Sequence, residues 1–259
     1  MREYNLVGLG TYRLQGDQCV QIIKSGLELG YRQIDTAQLY QNQNEIAQGI
    51  KLSGISRSDI FIQSKISNSS IKKKKIAESI DQILKELDTG YLDLLLLHNP
   101  VKNYELAWDE LIRCQTKFNI RYIGVSNFDQ DNLDLIIGKS GVIPWLNQIQ
   151  SNIFNQHVKL IDYNKKLGIL TQSHTTLTKS SLTSDPNLVN WSNQIGMPVP
   201  DLMFKYILDQ GIGILPRTSD STHLESNYNL GISPILFDKQ FVKDNEQIIK
   251  SFDIGYSIY

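Results

Sequence analysis

Residues 76–100 read IAESIDQILKELDTGYLDLLLLHNP, and the change of period inside this stretch decides the fold. Ile76, Ile80, Ile83, Leu84 and Leu87 recur at helical spacing, with Gly90 past the last of them. From Leu92 to Leu97 the pattern becomes an apolar run broken only by Asp93, as expected of a strand covered on both faces. A helix that feeds such a strand through a glycine is one unit of a parallel sheet with crossover helices.

The same alternation extends in both directions. Upstream, Leu6 to Leu9 reads as a weak first strand. Asp17 is placed to cap a helix that carries Val20, Ile23 and Leu27 and stops at Gly30. Gln33 to Asp35 is a short strand, Glu45 to Leu52 a short helix closed by Gly54, and Ile60 to Ser64 a third strand. Downstream, a helix through Trp108, Leu111 and Ile112 precedes the strand Ile120 to Val125. Leu133 to Ile137 is helical and Trp145 to Ile149 a strand, and Leu160 to Leu167 leads through Gly168 into the strand Ile169 to Gln172. Leu202 to Leu208 is a helix ended by Gly211, and Ile212 to Leu215 is the last strand. Thr178 to Pro200 reads as a long loop containing a short helix. Eight right-handed βαβ units close into a (β/α)8 TIM barrel more naturally than they stay open.

The bulk numbers agree. A length of 259 residues is near the roughly 250 of a complete barrel, so a single domain over 1–259 is expected. Hydrophobic residues make up 41% and charged residues 20%, as in a soluble globular protein. A net charge of −1 argues against a nucleic-acid surface or a polybasic membrane contact. The run Lys72-Lys73-Lys74-Lys75 reads as the solvated first turn of a helix rather than a phosphate patch. Cys19 and Cys114 fall in helical patterns and make neither a disulfide framework nor a metal-ligand spacing. The N-terminus lacks the apolar core of a signal peptide, and no run approaches the ~20 residues that span a bilayer. The expected location is the cytoplasm.

In such barrels chemistry sits at the C-terminal ends of the strands. Reading those ends in order gives Asp35 with Tyr40 five residues on, then Lys65, His98, Ser126-Asn127, Gln148 and Arg217-Thr218. Taken singly, each has a duller explanation as a solvated loop residue or a packed ring. Asp35, Tyr40, Lys65 and His98 together make a coherent proton-transfer device. A phenol with its reference pKa near 10 is a poor donor at neutral pH. An ammonium beside it favours phenolate, so Lys65 is expected to lower the pKa of Tyr40. Asp35 would keep Lys65 charged and oriented, and His98 could hold a carbonyl oxygen.

The segments GYRQIDTAQLYQNQNEI, IFIQSKI, LDLLLLHNP, IRYIGVSNF and NQIQ resemble, in order and spacing, the signatures of the aldo-keto reductases. The similarity covers essentially the whole chain, from Gly8-Leu9-Gly10-Thr11 to the helix after Thr218. The stretches Asp35–Tyr40 and Gly124–Phe128 are its most specific parts. The resemblance implies a nicotinamide-dependent oxidoreductase that reduces aldehydes and ketones by hydride transfer. It implies Tyr40 as proton donor, Lys65 and Asp35 tuning it, and His98 orienting the carbonyl. Ser126, Asn127 and Gln148 would hold the nicotinamide carboxamide. Gly10, Thr11, His174, Arg217, Thr218, His223 and Asn227 complete the implied cofactor set, with Arg217 gripping a 2′-phosphate. NADP(H) is therefore the preferred cofactor and NAD(H) the alternative.

Several positions depart from the family pattern. His174 stands where an aromatic ring, often Tyr, stacks on nicotinamide; His223 stands for a second phosphate-binding Arg, and Asn99 for a Trp after the catalytic His. The N-terminal hairpin is expected to shrink to about five residues, the connection after His98 to be short, and the C-terminal tail to end early. The pocket should be shallow, and modestly selective for small carbonyls. A monomer is expected. The alternatives are a cofactor-binding regulatory barrel, favoured by His174 and the trimmed loops, and a Lys65 Schiff-base enzyme, which leaves the Asn127 motif without a purpose. A metal enzyme is disfavoured, because His98, His157, His174 and His223 lack ligand spacing and His157 reads as a surface helix residue.

Overall fold

The computed structural model describes residues 4–178 and 180–255. Residues 1–3 and 256–259, on which the expected trimmed ends partly fall, and residue 179 within the expected loop, lie outside the described residues. Eight strands pair in parallel in chain order: β1 (Leu9–Gly10), β2 (Gln33–Asp35), β3 (Phe61–Ile66), β4 (Leu92–Leu97), β5 (Ile120–Ser126), β6 (Leu146–Gln150), β7 (Leu170–His174) and β8 (Gly213–Ile214). The seam closes where Val7 bridges Ile214. There Gly8 donates to the Ile214 carbonyl at 3.0 Å, and Gly10 to that of Pro216 at 3.0 Å. The result is a closed (β/α)8 barrel. Gly10 permits that seam, since a Cβ there would sit 2.6 Å from the Leu215 oxygen.

The two faces of each strand separate by the period-two rule. Ile34, Ile62, Ile66, Leu95, Leu97, Ile123 and Val125 join the helices in the main hydrophobic cluster. The alternate residues point inward and form layers. At the bottom, Phe61, Leu94, Leu96 and Leu146 pack with Tyr4, Tyr122 and Trp145. Tyr122 stacks on Trp145 at 4.3 Å between ring centres, and Tyr4 meets it edge-on at 5.6 Å. A single tyrosine before β1 thus helps plug the barrel floor. Above lie Gln33, Gln63, Gln148 and Gln172, and above those Asp35, Lys65 and His98. Asp93, on the outer side of β4, is wholly buried and satisfied by Arg57 at 2.8 Å, Arg121 at 2.9 Å and the Ile62 N–H at 2.9 Å.

Several boundaries shift from the sequence expectation. The first strand is Leu9–Gly10 rather than Leu6 to Leu9, because pairing with β2 begins at Leu9↔Ile34. The first helix, Gly16–Leu29, has Gln15 as its cap residue, and Asp17 lies in its first turn instead of capping it. The lysine run is exposed, but it forms the end of one short helix (Asn68–Lys72) and the turn before the next (Ile76–Leu87), not a first turn. His157 precedes the helix Val158–Lys166 as its exposed cap residue. Among the described residues of 178–198 there are two helices, Ser180–Thr183 and Pro186–Ile195, and a third begins at Val199. Asp185 caps the second by accepting from Asn187 and Leu188 at 2.9 and 3.0 Å, with Pro186 at its first position. After Leu230 come Lys239–Asp244 and Glu246–Ser251; Phe241 within the first and Phe252 just after the second pack on Trp191.

Candidate active site

A cleft of about 430 Å³ opens at the C-terminal ends of the strands. It brings together Gly10, Thr11, Asp35, Tyr40, His98, Ser126, Asn127, Gln148, His174 and Arg217. Lys65, buried beside it, faces Asp35 and Tyr40, so nearly all the expected residues converge on one place. Thr218, His223 and Asn227 do not line this cleft; Thr218 and Asn227 are buried and His223 is exposed.

The centre is an ion pair. Lys65 Nζ lies 2.5 Å from Asp35 Oδ1, 3.0 Å from the Thr36 carbonyl and 3.4 Å from the Tyr40 hydroxyl. In the register of β2 and β3 Asp35 sits opposite Gln63, and Lys65, the next inward residue of β3, lies diagonally across from it within reach of its carboxylate. Tyr40 arrives from a short 3₁₀ turn, Gln38–Tyr40, that is tied to the loop after β3. There Gln38 accepts from the Ser67 N–H at 3.2 Å. The Tyr40 and His98 rings meet edge-on at 6.2 Å, and Tyr12 packs against Tyr40 at 5.1 Å.

Beneath Asp35 runs an amide network that the sequence reading missed apart from Gln148. Asp35 Oδ1 also accepts from Gln63 Nε2 at 2.6 Å and Gln148 Nε2 at 3.1 Å. Both amides donate again, at 2.7 Å each, to Gln172 Oε1. Gln33 Nε2 donates to Gln63 Oε1 at 3.1 Å. Its sequence signal was a glutamine at the inward position of β2, β3, β6 and β7 alike.

Asn127 follows β5 in the left-handed region, at φ 61°. Its Nδ2 donates to Asn99 Oδ1 at 2.9 Å, and Asn99 in turn donates to Asn68 at 3.1 Å. His174 Nε2 lies 2.8 Å from Asn127 Oδ1 and Nδ1 lies 2.9 Å from Thr175 Oγ1. An amide oxygen only accepts, so His174 carries its proton on Nε2. Its ring is thus held by its edge, and Asn99 braces Asn127 rather than walling the pocket. Burial, then the Lys65 charge, pushes the His174 pKa down to about 3. His98 is likewise held down to about 3 by burial, then by Lys65 and His174. Its Nδ1 is buried without a hydrogen-bond partner.

Thr11 donates to the Asp35 carbonyl at 2.9 Å, so its hydroxyl fixes β1 to β2. Buried Asn42 donates to the carbonyls of Thr11 and Leu14 at 2.8 and 3.0 Å, which anchors the loop after β1. Arg217 is exposed, and its Nε and Nη2 donate to the carbonyls of Tyr12 and Arg13 at 3.1 and 3.3 Å. Asp220 caps the helix Ser221–Leu230, and those backbone N–H bonds hold its carboxyl below the usual range. Among the described residues, no group of three or more His, Cys, Asp or Glu could hold a metal ion. Among them, too, no helix is long and apolar enough to cross a membrane.

Comparison with known proteins returns one family over most of the chain. The model of the Aldo/keto reductase family matches residues 6–250. Methylglyoxal reductase DkgB of Yersinia pestis is 32% identical over 225 residues, covering 85% of this chain and 84% of that protein. Methylglyoxal reductase DkgA of Salmonella typhimurium is 29% identical over 254 residues, covering 96% and 90%. MGS-M4, an aldo-keto reductase from a deep-sea metagenome library, superposes with a TM-score of 0.90 at 27% identity, over 99% of this chain and 94% of that one.

Proposed function

From the premise that the chain belongs to the aldo/keto reductase family, we propose that it is a monomeric, cytoplasmic, NADPH-preferring reductase of small aldehydes, 2-oxoaldehydes among them. The observation that carries this reading is Lys65 Nζ standing between Asp35 at 2.5 Å and the Tyr40 hydroxyl at 3.4 Å. An ammonium at that distance stabilises negative charge on the phenol oxygen, so Tyr40 can release its proton to a carbonyl oxygen as that oxygen becomes an alkoxide. Tyr40 is half-buried on the cleft and can be reprotonated from solvent. His98 stays neutral. A proton on its unpartnered Nδ1 would be a buried donor without an acceptor, so Nε2 carries the hydrogen and directs it at the carbonyl.

The donor set fits a nicotinamide cofactor. Ser126, Asn127 and Gln148 share the cleft with an apolar wall of Phe204, Leu215 and Pro216. Arg217 lies at the rim with guanidinium N–H groups beyond the two it commits to backbone, enough for a phosphate. When bound, that cofactor supplies the hydride, and the chain supplies placement and the proton. Relatives named methylglyoxal reductases motivate the oxoaldehyde part of the proposal.

The test is a titration with NADPH and NADH followed by tryptophan fluorescence, then an aldehyde panel including methylglyoxal monitored by cofactor oxidation. NADPH binding tighter than NADH, aldehyde-dependent turnover, and loss of turnover by at least about 10²-fold in Tyr40→Phe with binding retained are the expected results. Binding without turnover across the panel would support the cofactor-binding regulatory reading instead.

A further inference from the structure

The glutamine layer under the catalytic pair has a polarity that the carboxylate dictates. A carboxylate facing an ammonium can only accept, so Gln63 and Gln148 must both turn their NH₂ groups to Asp35 Oδ1. Each NH₂ has one hydrogen left, and both of those go to Gln172 Oε1 at 2.7 Å. Gln172 must therefore present oxygen, not nitrogen. With both hydrogens of Gln148 drawn into the barrel, the group it can offer the cleft is its carbonyl oxygen. That oxygen suits a ligand bearing an N–H donor, such as a primary carboxamide.

We propose that Gln172, with Gln63, is a positioning residue of the reductase reaction: its one oxygen aligns two amides on Asp35 and thereby fixes the direction in which Gln148 recognises the nicotinamide carboxamide. This rests on the cofactor reading above and extends it to residues that touch neither substrate nor cofactor. Without the Gln172 acceptor, the Gln148 amide keeps only its 3.1 Å bond to Asp35 and has one N–H free to turn toward the cleft. Binding would then stop distinguishing a carboxamide from a group that merely fills the same space.

The experiment compares NADP⁺ with its 3-acetylpyridine analogue, in which a methyl ketone replaces the carboxamide. Dissociation constants come from tryptophan quenching, with wild type, Gln172→Met and Gln172→Glu. Wild type is expected to prefer NADP⁺ by roughly fivefold, the size of one neutral hydrogen bond. In Gln172→Met the ratio should fall to within about twofold. Gln172→Glu keeps an acceptor in place and should restore the preference, which generic damage to the barrel would not do. No preference in wild type, or a full preference retained in Gln172→Met, overturns the proposal while leaving the reductase reading intact. Failure of wild type to bind either nucleotide sinks the reductase reading and this proposal with it.

Discussion

Acidification should cost this protein stability through two histidines that the site keeps uncharged. His98 is 9% exposed and looks onto the Lys65 ammonium and His174. His174 is half-buried and spends both ring nitrogens on Asn127 and Thr175. Each has its pKa pushed from 6.5 down to about 3. The unfolded chain therefore takes up protons first, and stability rises with pH between about 3 and 6.5 and is fully present above that window. Near pH 5, about 1.5 units below the unfolded value, a buried histidine costs about 2 kcal/mol, at 1.36 kcal/mol per unit. Solvent reaching half-buried His174 reduces its share, so the pair should cost about 3 kcal/mol of a typical 5–15 kcal/mol total. Urea unfolding near pH 7.5 and pH 5, for wild type and the His98→Gln/His174→Gln double variant, isolates this, because the carboxylates titrate alike in both. Wild type should lose about 3 kcal/mol more on acidification, read from the midpoints at unchanged slope. Equal acid losses in the two proteins would refute the claim that the site holds these rings neutral.

Two further outcomes follow from single contacts. Arg217→Ala should weaken NADPH binding by about tenfold and leave NADH binding nearly unchanged, since only the 2′-phosphate separates the two ligands; equal losses by fluorescence titration would mean the side chain acts by bracing the loop at Tyr12 and Arg13. Gly124→Ala should drive the protein out of the soluble fraction or lower its unfolding free energy, read from urea curves, by at least about 2 kcal/mol, because the new Cβ would lie 2.4 Å from the Leu146 backbone oxygen on the neighbouring strand. A normal unfolding curve for that variant would show that β5 and β6 can separate without penalty.

How much of this could be read in the chain depended on whether a signal was local. The helix at 76–87 and strand at 92–97 carry their periods within themselves and fall where the sequence puts them. The short first strand does not, because Leu9 and Gly10 become a strand through pairing with Ile34 and Asp35, some 25 residues on. A short helix inside 178–200 was expected, and Asp185-Pro186, a cap and a first-position proline, marks where Pro186–Ile195 begins; the surrounding polar residues hid its bounds and the second helix, Ser180–Thr183. Asp35, Tyr40, Lys65 and His98 could be grouped because strand ends are enumerable once a barrel is assumed, and the four do meet at one rim. The contacts of Lys65 with Asp35 and Tyr40 were expected and are present, but the amide layer under Asp35 was not, since Gln63 and Gln172 lie 109 residues apart. The bracing of Asn127 by Asn99 and His174 was hidden for the same reason; the sequence shows that a Trp and a Tyr are missing, but not that their replacements reach each other.

The glutamine layer also explains how so apolar a barrel can carry a charged pair in its interior. Lys65 is 1% exposed and Asp35 4%. A buried ion pair by itself gains little or nothing over an apolar replacement, because desolvating two charges offsets their attraction. Here the Thr36 carbonyl and the Tyr40 hydroxyl accept from Lys65, while two amides donate to Asp35. Those dipoles replace part of the lost hydration, and they are fixed before any substrate arrives. Apolar side chains at Gln63 and Gln172 would pack the same space, but they would leave Asp35 with only Lys65 and Gln148 and draw the ammonium closer to the carboxylate and away from Tyr40. The polar layer is thus the part of the core that holds Lys65 near the phenol, and the hydrophobic layers between strands and helices and on the barrel floor carry the stability it forgoes.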